Sequence, residues 1–298
     1  MARELLHFDP GCLEHDFDVR PFGFRHELDT LGLFSVDNLC RLAERMSGSE
    51  PDWFVAGSAK KPGQAFYSVD QRYLKPHEAI AQLDTGTHRV LLKRAENHDS
   101  GFRDLLDQLF DQVIAARGGL RGARVLRRET GIFLSSGAAI TPFHYDPEIN
   151  FFTQIEGEKE YHVYAPKAVR EEELERFFIH GKVDIAQIPL EGRDPAHEHV
   201  FELAAGRGLH QPQNSPHWVR TDAARSISFS MVWETDESRA TGRTRACNHY
   251  LRKLGFQPSA PGISPGSDAA KAGAMRVLTP VRQAAVSVKR SLFGRRPA

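Results

Sequence analysis

From Gly131 onward the sequence breaks into short runs of Ile, Phe, Val, Thr and Tyr separated by Gly and Pro. They fit an antiparallel sheet or barrel. Strands are expected at 131–136, 139–145, 150–156, 159–165, 199–204, 207–211, 216–221 and 226–234. Eight short strands in this order predict a mainly β fold, a double-sheet jelly roll with helices flanking it on the N- and C-terminal sides.

The flanks carry helical periodicity. Ser35 is placed to cap a helix whose apolar positions, Val36, Leu39, Leu42 and Met46, recur at three and four. A second helix is expected over 101–117, where Phe102, Leu105, Leu106, Leu109, Phe110, Val113 and Ile114 form a wide stripe that Gly118 and Gly119 end. Between Ala168 and Pro195 an insertion holds a charged helix from Val169 to Phe178, which fits either a lid over one end of the barrel or a solvated surface helix. After Trp233 helical texture returns. A Pro/Gly/Ser-rich stretch over 257–267 then leads to a basic segment carrying Lys271, Arg276, Arg282, Lys289, Arg290, Arg295 and Arg296, with Val277, Val281, Val288 and Leu292 on one face. Such a segment docks on a partner subunit, on anionic lipid or on nucleic acid, or simply keeps a terminus soluble. The chain thus divides into an N-terminal helical and mixed region over 1–120, a barrel over 121–236 and a helical region with a basic tail over 237–298.

Composition narrows the function classes. Lys+Arg and Asp+Glu both number 39 in 298 residues, so no overall field draws the chain to nucleic acid or membrane. Cys12, Cys40 and Cys247 are too few and too scattered for a disulfide framework, a zinc finger or an iron–sulfur cluster. Charge interrupts the N-terminus before an apolar targeting region forms, and no run approaches the roughly 18 apolar residues of a membrane span. A cytoplasmic protein without a membrane span is expected.

The chemistry concentrates in Thr141-Pro142-Phe143-His144-Tyr145-Asp146. Side chains two apart on a strand point to one face, so His144 and Asp146 reach a single metal ion together. A further His completes the 2-His-1-carboxylate set that leaves open positions on non-haem Fe(II). His-x-acid alone is weak: with 14 His and 39 acids in 298 residues, about two such triplets arise by chance. His7-Phe8-Asp9 is one, and it meets a Pro-Gly turn rather than a strand. His144 follows a strand and precedes another.

The third ligand candidate is His217, delivered at the start of a strand by the rigid turn Pro212-Gln-Asn-Ser-Pro216. His210 competes, but it lies within the preceding strand and reads as a packed or hydrogen-bonded residue. His162, His180, His197 and His199 lack a carboxylate at ligand spacing and read as structural or surface residues. Beyond Gly157, taken as a hairpin turn, Lys159, Tyr161, Val163 and Ala165 share one face and Glu158, Glu160, His162 and Tyr164 the other. A cation on the apolar face is costly unless it meets a buried anion. The alternatives are a lysine snorkelling at the rim or one paired with Glu156 or Glu158. Residues 1–120 offer only Tyr67 and Tyr73 as loop aromatics that reach a site, with core packing as the alternative.

Residues 132–166, with Thr-Pro-x-His-Tyr-Asp followed by Asn-Phe-Phe-x-Gln-Ile-x-Gly-x-Lys, resemble the core of the JmjC and cupin-like Fe(II)/2-oxoglutarate-dependent oxygenases, particularly the asparaginyl-hydroxylase-like branch. The segment from Gly206 to Val219 resembles that family's distal histidine motif, although Arg207 and Ser215-Pro216 depart from it. The resemblance covers about residues 131–234, about a third of the chain, and implies a double-stranded β-helix (jelly-roll or cupin) core. It also implies Fe(II) on His144, Asp146 and His217, and 2-oxoglutarate held by Lys159 and Thr141 with Asn150 lining its site. Ser230 stands where relatives often carry an amide. Thr141 is out of phase with His144 by simple alternation, so a bulge is required. The implied activity is hydroxylation of a C–H bond, with O2 as co-reactant and release of succinate and CO2; demethylation is a variant. The substrate is a protein side chain, a peptide, a modified RNA base or a free metabolite, and relatives often pair as homodimers through C-terminal helices. The readings from other classes are a non-catalytic metal-binding cupin that acts as a sensor or regulator, and a nucleic-acid binder using the basic tail.

Overall fold

The computed structural model describes residues 3–65, 74–180 and 187–293, with side chains to 279. In chain order the strands are β1 (Leu6–His7), β2 (Phe22–His26), β3 (Trp53–Gly57), β4 (His88–Lys93), β5 (Val125–Ser135), β6 (Ile140–His144), β7 (Ile149–Glu156), β8 (Lys159–Tyr164), β9 (Glu198–Leu203), β10 (Arg207–Gln211), β11 (His217–Thr221) and β12 (Ser226–Thr235). The helices are α1 (Cys12–His15), α2 (Val36–Met46), α3 (Pro76–Ala81), α4 (Ser100–Arg117), α5 (Glu171–His180), α6 (Asp236–Lys253) and α7 (Pro265–Phe293). Two antiparallel sheets face one another. The larger runs β1-β2-β10-β7-β12-β5-β4-β3 and the smaller β6-β11-β8-β9. This is the mainly β jelly roll with flanking helices that the strand rhythm predicts, and all eight expected strands are present. The N-terminal 120 residues contribute more to it than helices alone, since β1 to β4 extend the larger sheet at both edges.

The turn at Gly157 is not a hairpin. β7 lies between β10 and β12 in one sheet, whereas β8 lies between β11 and β9 in the other, so the chain crosses between sheets there. Gly157 adopts φ +74°, and a Cβ at that position would lie 2.3 Å from the Arg225 carbonyl. Glycine is required on both counts.

Strand β7 is buried on both faces. Its odd-numbered residues join Phe229, Met231 and Trp233 of β12 beneath α2 and α4, which contribute Leu39, Leu42, Phe102, Leu105 and Leu109. Its even-numbered residues face the barrel interior, where Phe152 packs with Tyr161, Val163, Leu209 and Val219. Burial of each such side chain contributes about 1.5–3 kcal/mol. The capping expected from sequence is present: Ser35 Oγ accepts from the Asn38 N–H, and Gly118 ends α4 in the left-handed conformation.

The inserted helix α5 is neither solvated nor a lid over the mouth. It packs Leu174 and Phe177 against Phe143, Tyr145, Tyr164 and Trp218, the outer face of the smaller sheet. Arg245 and Arg252 of α6 hold it through Glu171 and Glu175. Helix α7 returns along α6, with Ala272 and Met275 buried and Thr244 Oγ1 donating to the Asp268 carbonyl. The apolar face expected of the tail falls mostly outside the described residues: the side chains of Val281, Val288 and Leu292 are beyond them, as are Arg282, Lys289, Arg290, Arg295 and Arg296. No helix among the described residues is long and apolar enough to cross a membrane.

Fully buried Phe229 meets Phe34 edge-on at 5.4 Å and stacks on Phe102 at 6.4 Å. Phe229→Ala is therefore expected to lower stability by about 3–5 kcal/mol in urea unfolding. Phe256→Ala, at a residue 62% exposed, is expected to change it by under about 0.5 kcal/mol.

Candidate metal centre

The antiparallel register of β6 and β11 sets His144 directly opposite His217, with ring centroids 4.2 Å apart. Asp146 lies two residues beyond His144, and its Oδ2 is 3.7 Å from the Nε2 atom of each imidazole. One ligand atom from each of the three lies within 4.8 Å of the others. The tautomers are fixed from behind. His144 Nδ1 is 2.8 Å from the Pro142 carbonyl and His217 Nδ1 is 3.1 Å from the Ser215 carbonyl. A carbonyl only accepts, so both Nδ1 atoms carry a proton and both Nε2 atoms face Asp146. Burial, reinforced by neighbouring His144, pushes the His217 pKa down to about 3, so the ring is neutral. Two imidazoles whose Nε2 atoms converge on one carboxyl group, that of Asp146 with its side chain 40% exposed, are a donor set that fits a divalent metal with free positions.

Local structure enforces this geometry. Between His144, at the end of β6, and Asp146, the Tyr145 side chain points the other way. It is fully buried, packs edge-on against Phe177 of α5 at 5.6 Å and donates from its hydroxyl to the Glu173 carbonyl at 3.2 Å. Helix α5 thereby locks the strand from its outer side. Across the ladder, Val219 pairs with Thr141 and His217 with His144, so β11 advances two residues while β6 advances three. This bulge puts Thr141 on the same face as His144, as their parity requires. Beneath His217, Tyr161 stacks at 5.3 Å and 15° and donates to Gln211 Oε1 at 2.5 Å.

Deeper in the barrel lie two cations. Lys159, 6% exposed, donates to Ser228 Oγ at 2.8 Å and sits 5.5 Å from the Phe152 ring centre; Ser228 in turn donates to Gln154 Oε1. Arg89 of β4 donates to the Gly57 carbonyl at 2.9 Å and to Thr141 Oγ1 at 3.3 Å. Neither has a carboxylate within ion-pair distance among the described residues. Glu156, one of the partners considered for Lys159, binds Arg225 instead. Rim snorkelling does not apply to a lysine this deep. Burial, with Arg89 nearby, pushes the Lys159 pKa down to about 7, and burial alone lowers that of Arg89 to about 10. Two uncompensated cations in a barrel are costly, and an anion between them would offset the cost.

Asn150 is buried on the inner face opposite Gln211, and its Oδ1 has no hydrogen-bond partner among the described residues. Ser230 is also buried, one pleat along β12 from Ser228; it is Ser228 that meets Lys159. Arg89 and Ser228 are the residues that sequence reasoning missed. A period-two alternation over His88–Lys93 puts Arg89 on the face opposite Val90 and Leu92, which was the available signal. His210 is the packed residue expected, stacked on Phe17 and bonded to the Asn150 carbonyl. His162 is spanned by Glu160 and Glu198, and His7 of the other His-x-acid triplet meets Glu27. Tyr67 and Tyr73 lie outside the described residues.

Tyr145→Phe removes one buried donor and leaves the Glu173 carbonyl without it. A loss of about 1 kcal/mol in unfolding free energy is expected, whereas an unchanged denaturation midpoint would show that α5 does not brace β6 through this bond.

No protein-family model matches the sequence, and no curated protein matches it. Solved structures do match in fold. One is YcfD, a ribosomal oxygenase from Escherichia coli, in complex with cobalt and 2-oxoglutarate: 15% identical with a TM-score of 0.53, covering 93% of this chain and 68% of that one. Another is YcfD in complex with cobalt and succinic acid, 16% identical with a TM-score of 0.52 over 93% and 68% of the two chains. At this identity the likeness establishes the architecture that the two share, a jelly roll with helices on both flanks.

Proposed function

We propose that this chain is an Fe(II)- and 2-oxoglutarate-dependent oxygenase of the JmjC and cupin-like class that hydroxylates a C–H bond of an amino-acid residue or a small molecule. The observation that carries the reading is the joint presence in one barrel of the His144, Asp146 and His217 cluster and the uncompensated pair Lys159 and Arg89. A metal cluster alone would suit a structural ion, and buried cations alone would suit any small anion. Together they match a metal chelated at one end of a dianion whose far carboxylate needs buried positive charge. The cobalt, 2-oxoglutarate and succinic acid in the YcfD structures support the same pairing of ligands on this fold.

His144 and His217 would hold the iron through Nε2 and Asp146 through a carboxylate oxygen. Lys159 and Arg89 would neutralise the far carboxylate of 2-oxoglutarate, Thr141, which accepts from Arg89, would donate its hydroxyl to the same group, and the Asn150 oxygen would line the site. When bound, iron and 2-oxoglutarate supply the activation of O2 whose by-products are succinate and CO2. The chain's part is to orient, to neutralise and to keep water out of an interior walled by Phe152, Tyr161, Val163 and Val219. Ser230 and the asparaginyl-hydroxylase-like assignment belong to this reading, as does a protein side chain, the substrate that the name of YcfD as a ribosomal oxygenase favours. Exposed Leu254, Phe256, Ile263, Val277 and Leu278 on the C-terminal helices and their connection support a homodimer formed there.

An anaerobic titration with Fe(II) and 2-oxoglutarate, followed by oxygen and a succinate assay, tests the reading. Wild type is expected to bind both and release succinate, His144→Ala to lose iron, and Lys159→Ala and Arg89→Ala each to weaken 2-oxoglutarate about tenfold to a hundredfold, the loss of a charge-assisted hydrogen bond. Metal uptake without succinate would instead favour a non-catalytic cupin sensor.

Lys159 also sets a pH dependence. Its protonated form binds the carboxylate, and its pKa in the free protein is pushed down to about 7. Anion binding raises that pKa, so 2-oxoglutarate affinity is expected to be greatest below pH 7 and to fall by up to about tenfold per pH unit above it. Lys159→Met should flatten the profile. An equally steep fall in that variant would assign the titration to another group.

A further inference from the structure

We infer that Asp18, in the N-terminal segment after α1, is a positioning residue for His217, its carboxylate holding the turn that delivers that imidazole to the metal centre. The purpose of the clamp rests on the metal-centre reading above; the clamp itself rests on hydrogen bonds. Asp18 Oδ1 accepts from the Gln213 N–H at 2.6 Å, across 195 residues of chain. The next amide of the turn, that of Asn214, donates to the Asp146 carbonyl at 2.8 Å. Two successive N–H groups of the turn are thus held, one by the N-terminal segment and one by the strand end that carries Asp146. One residue further on, the Ser215 carbonyl accepts from His217 Nδ1. A shift of the turn therefore moves the group that orients the imidazole.

Asp18 itself is braced. Its N–H donates to His210 Nε2 at 3.0 Å, and His210 Nδ1 donates to the Asn150 carbonyl at 3.1 Å. Phe17 stacks on His210 with ring centroids 5.0 Å apart, and the Arg117 guanidinium lies 3.9 Å from the centre of the Phe17 ring. Asp18 takes φ +58°, a conformation that non-glycine residues adopt at a cost. Burial raises its pKa to about 6, against the pull of the Gln213 amide, Arg117 and Arg245. The charged and titratable groups facing it are His210, Arg117 and Arg245. A strained backbone and a desolvated carboxyl coincide where a simple turn needs neither. The acceptor for Gln213 is what both provide.

Asp18→Gly and Asp18→Asn separate this role from a structural one. Glycine relieves the positive φ but removes the acceptor; asparagine tolerates the φ and keeps the acceptor. The readouts are amide hydrogen exchange at Gln213 and Asn214 in the metal-free full chain, and Co(II) titration followed by its visible spectrum. Asp18→Gly is expected to speed exchange at both amides, to weaken Co(II) about tenfold or more and to alter the spectrum, while Asp18→Asn stays within about threefold of wild type. Asp16→Ala, which removes the nearby surface pair with Arg20, is expected to change neither readout. Wild-type exchange and affinity in Asp18→Gly would overturn the inference, as would losses of equal size in Asp18→Gly and Asp18→Asn. A wild type that takes up no Co(II) would remove the metal reading, and the exchange rates of Gln213 and Asn214 would still decide the clamp.

Discussion

The pairing of β6 with β11 is the constraint on which the site depends. His217 stands opposite His144, and a one-residue bulge in β6 brings Thr141 onto the same face. In a regular ladder a slip of one residue would turn either imidazole out of the barrel. Three features hold the register. Tyr145 anchors β6 to α5 on the outside, Asn214 ties the turn before β11 to Asp146, and the interior rings of Tyr161 and Phe152 fill the space beneath His217. Each acts on a different side of the same two strands, so the fold itself brings the three candidate ligand atoms together.

The electrostatics run along one axis. At the mouth, the Asp146 carboxyl group lies beside two imidazoles; deeper in, Lys159 and Arg89 lie without a carboxylate partner among the described residues. Hydroxyl and amide groups support the cations, Ser228 and Gln154 on one side and Thr141 on the other. These bonds orient the charges but do not neutralise them. A barrel interior in that state binds an anion more strongly than a surface pair would, because the cations have already lost their hydration.

Much of this was legible in sequence because the signals were local. Alternation and turn residues marked the eight barrel strands, His144 ended one of them with Asp146 two residues on, and Pro212 to Pro216 marked the turn before His217. The parity conflict at Thr141 even pointed to the bulge. What escaped notice was non-local. Strand adjacency in a jelly roll is not set by sequence order, so the turn at Gly157 looked like a hairpin although it joins two sheets. Strands β2 to β4 lie among helices and carry no motif, which hid Arg89. Helix α5 looked solvated because its glutamates are numerous, yet Glu171, Glu173 and Glu175 meet Arg245, Arg193 and Arg252. Charge that is paired across elements reads in one dimension as charge that faces water.

The most direct measurement is anomalous diffraction from a crystal of the full chain loaded anaerobically with Fe(II) and 2-oxoglutarate. One iron peak is expected, bonded to His144 Nε2, His217 Nε2 and an Asp146 oxygen, with the ligand's far carboxylate against Lys159 and Arg89. An iron bound elsewhere, or a carboxylate that leaves both cations without a partner, would contradict the oxygenase reading.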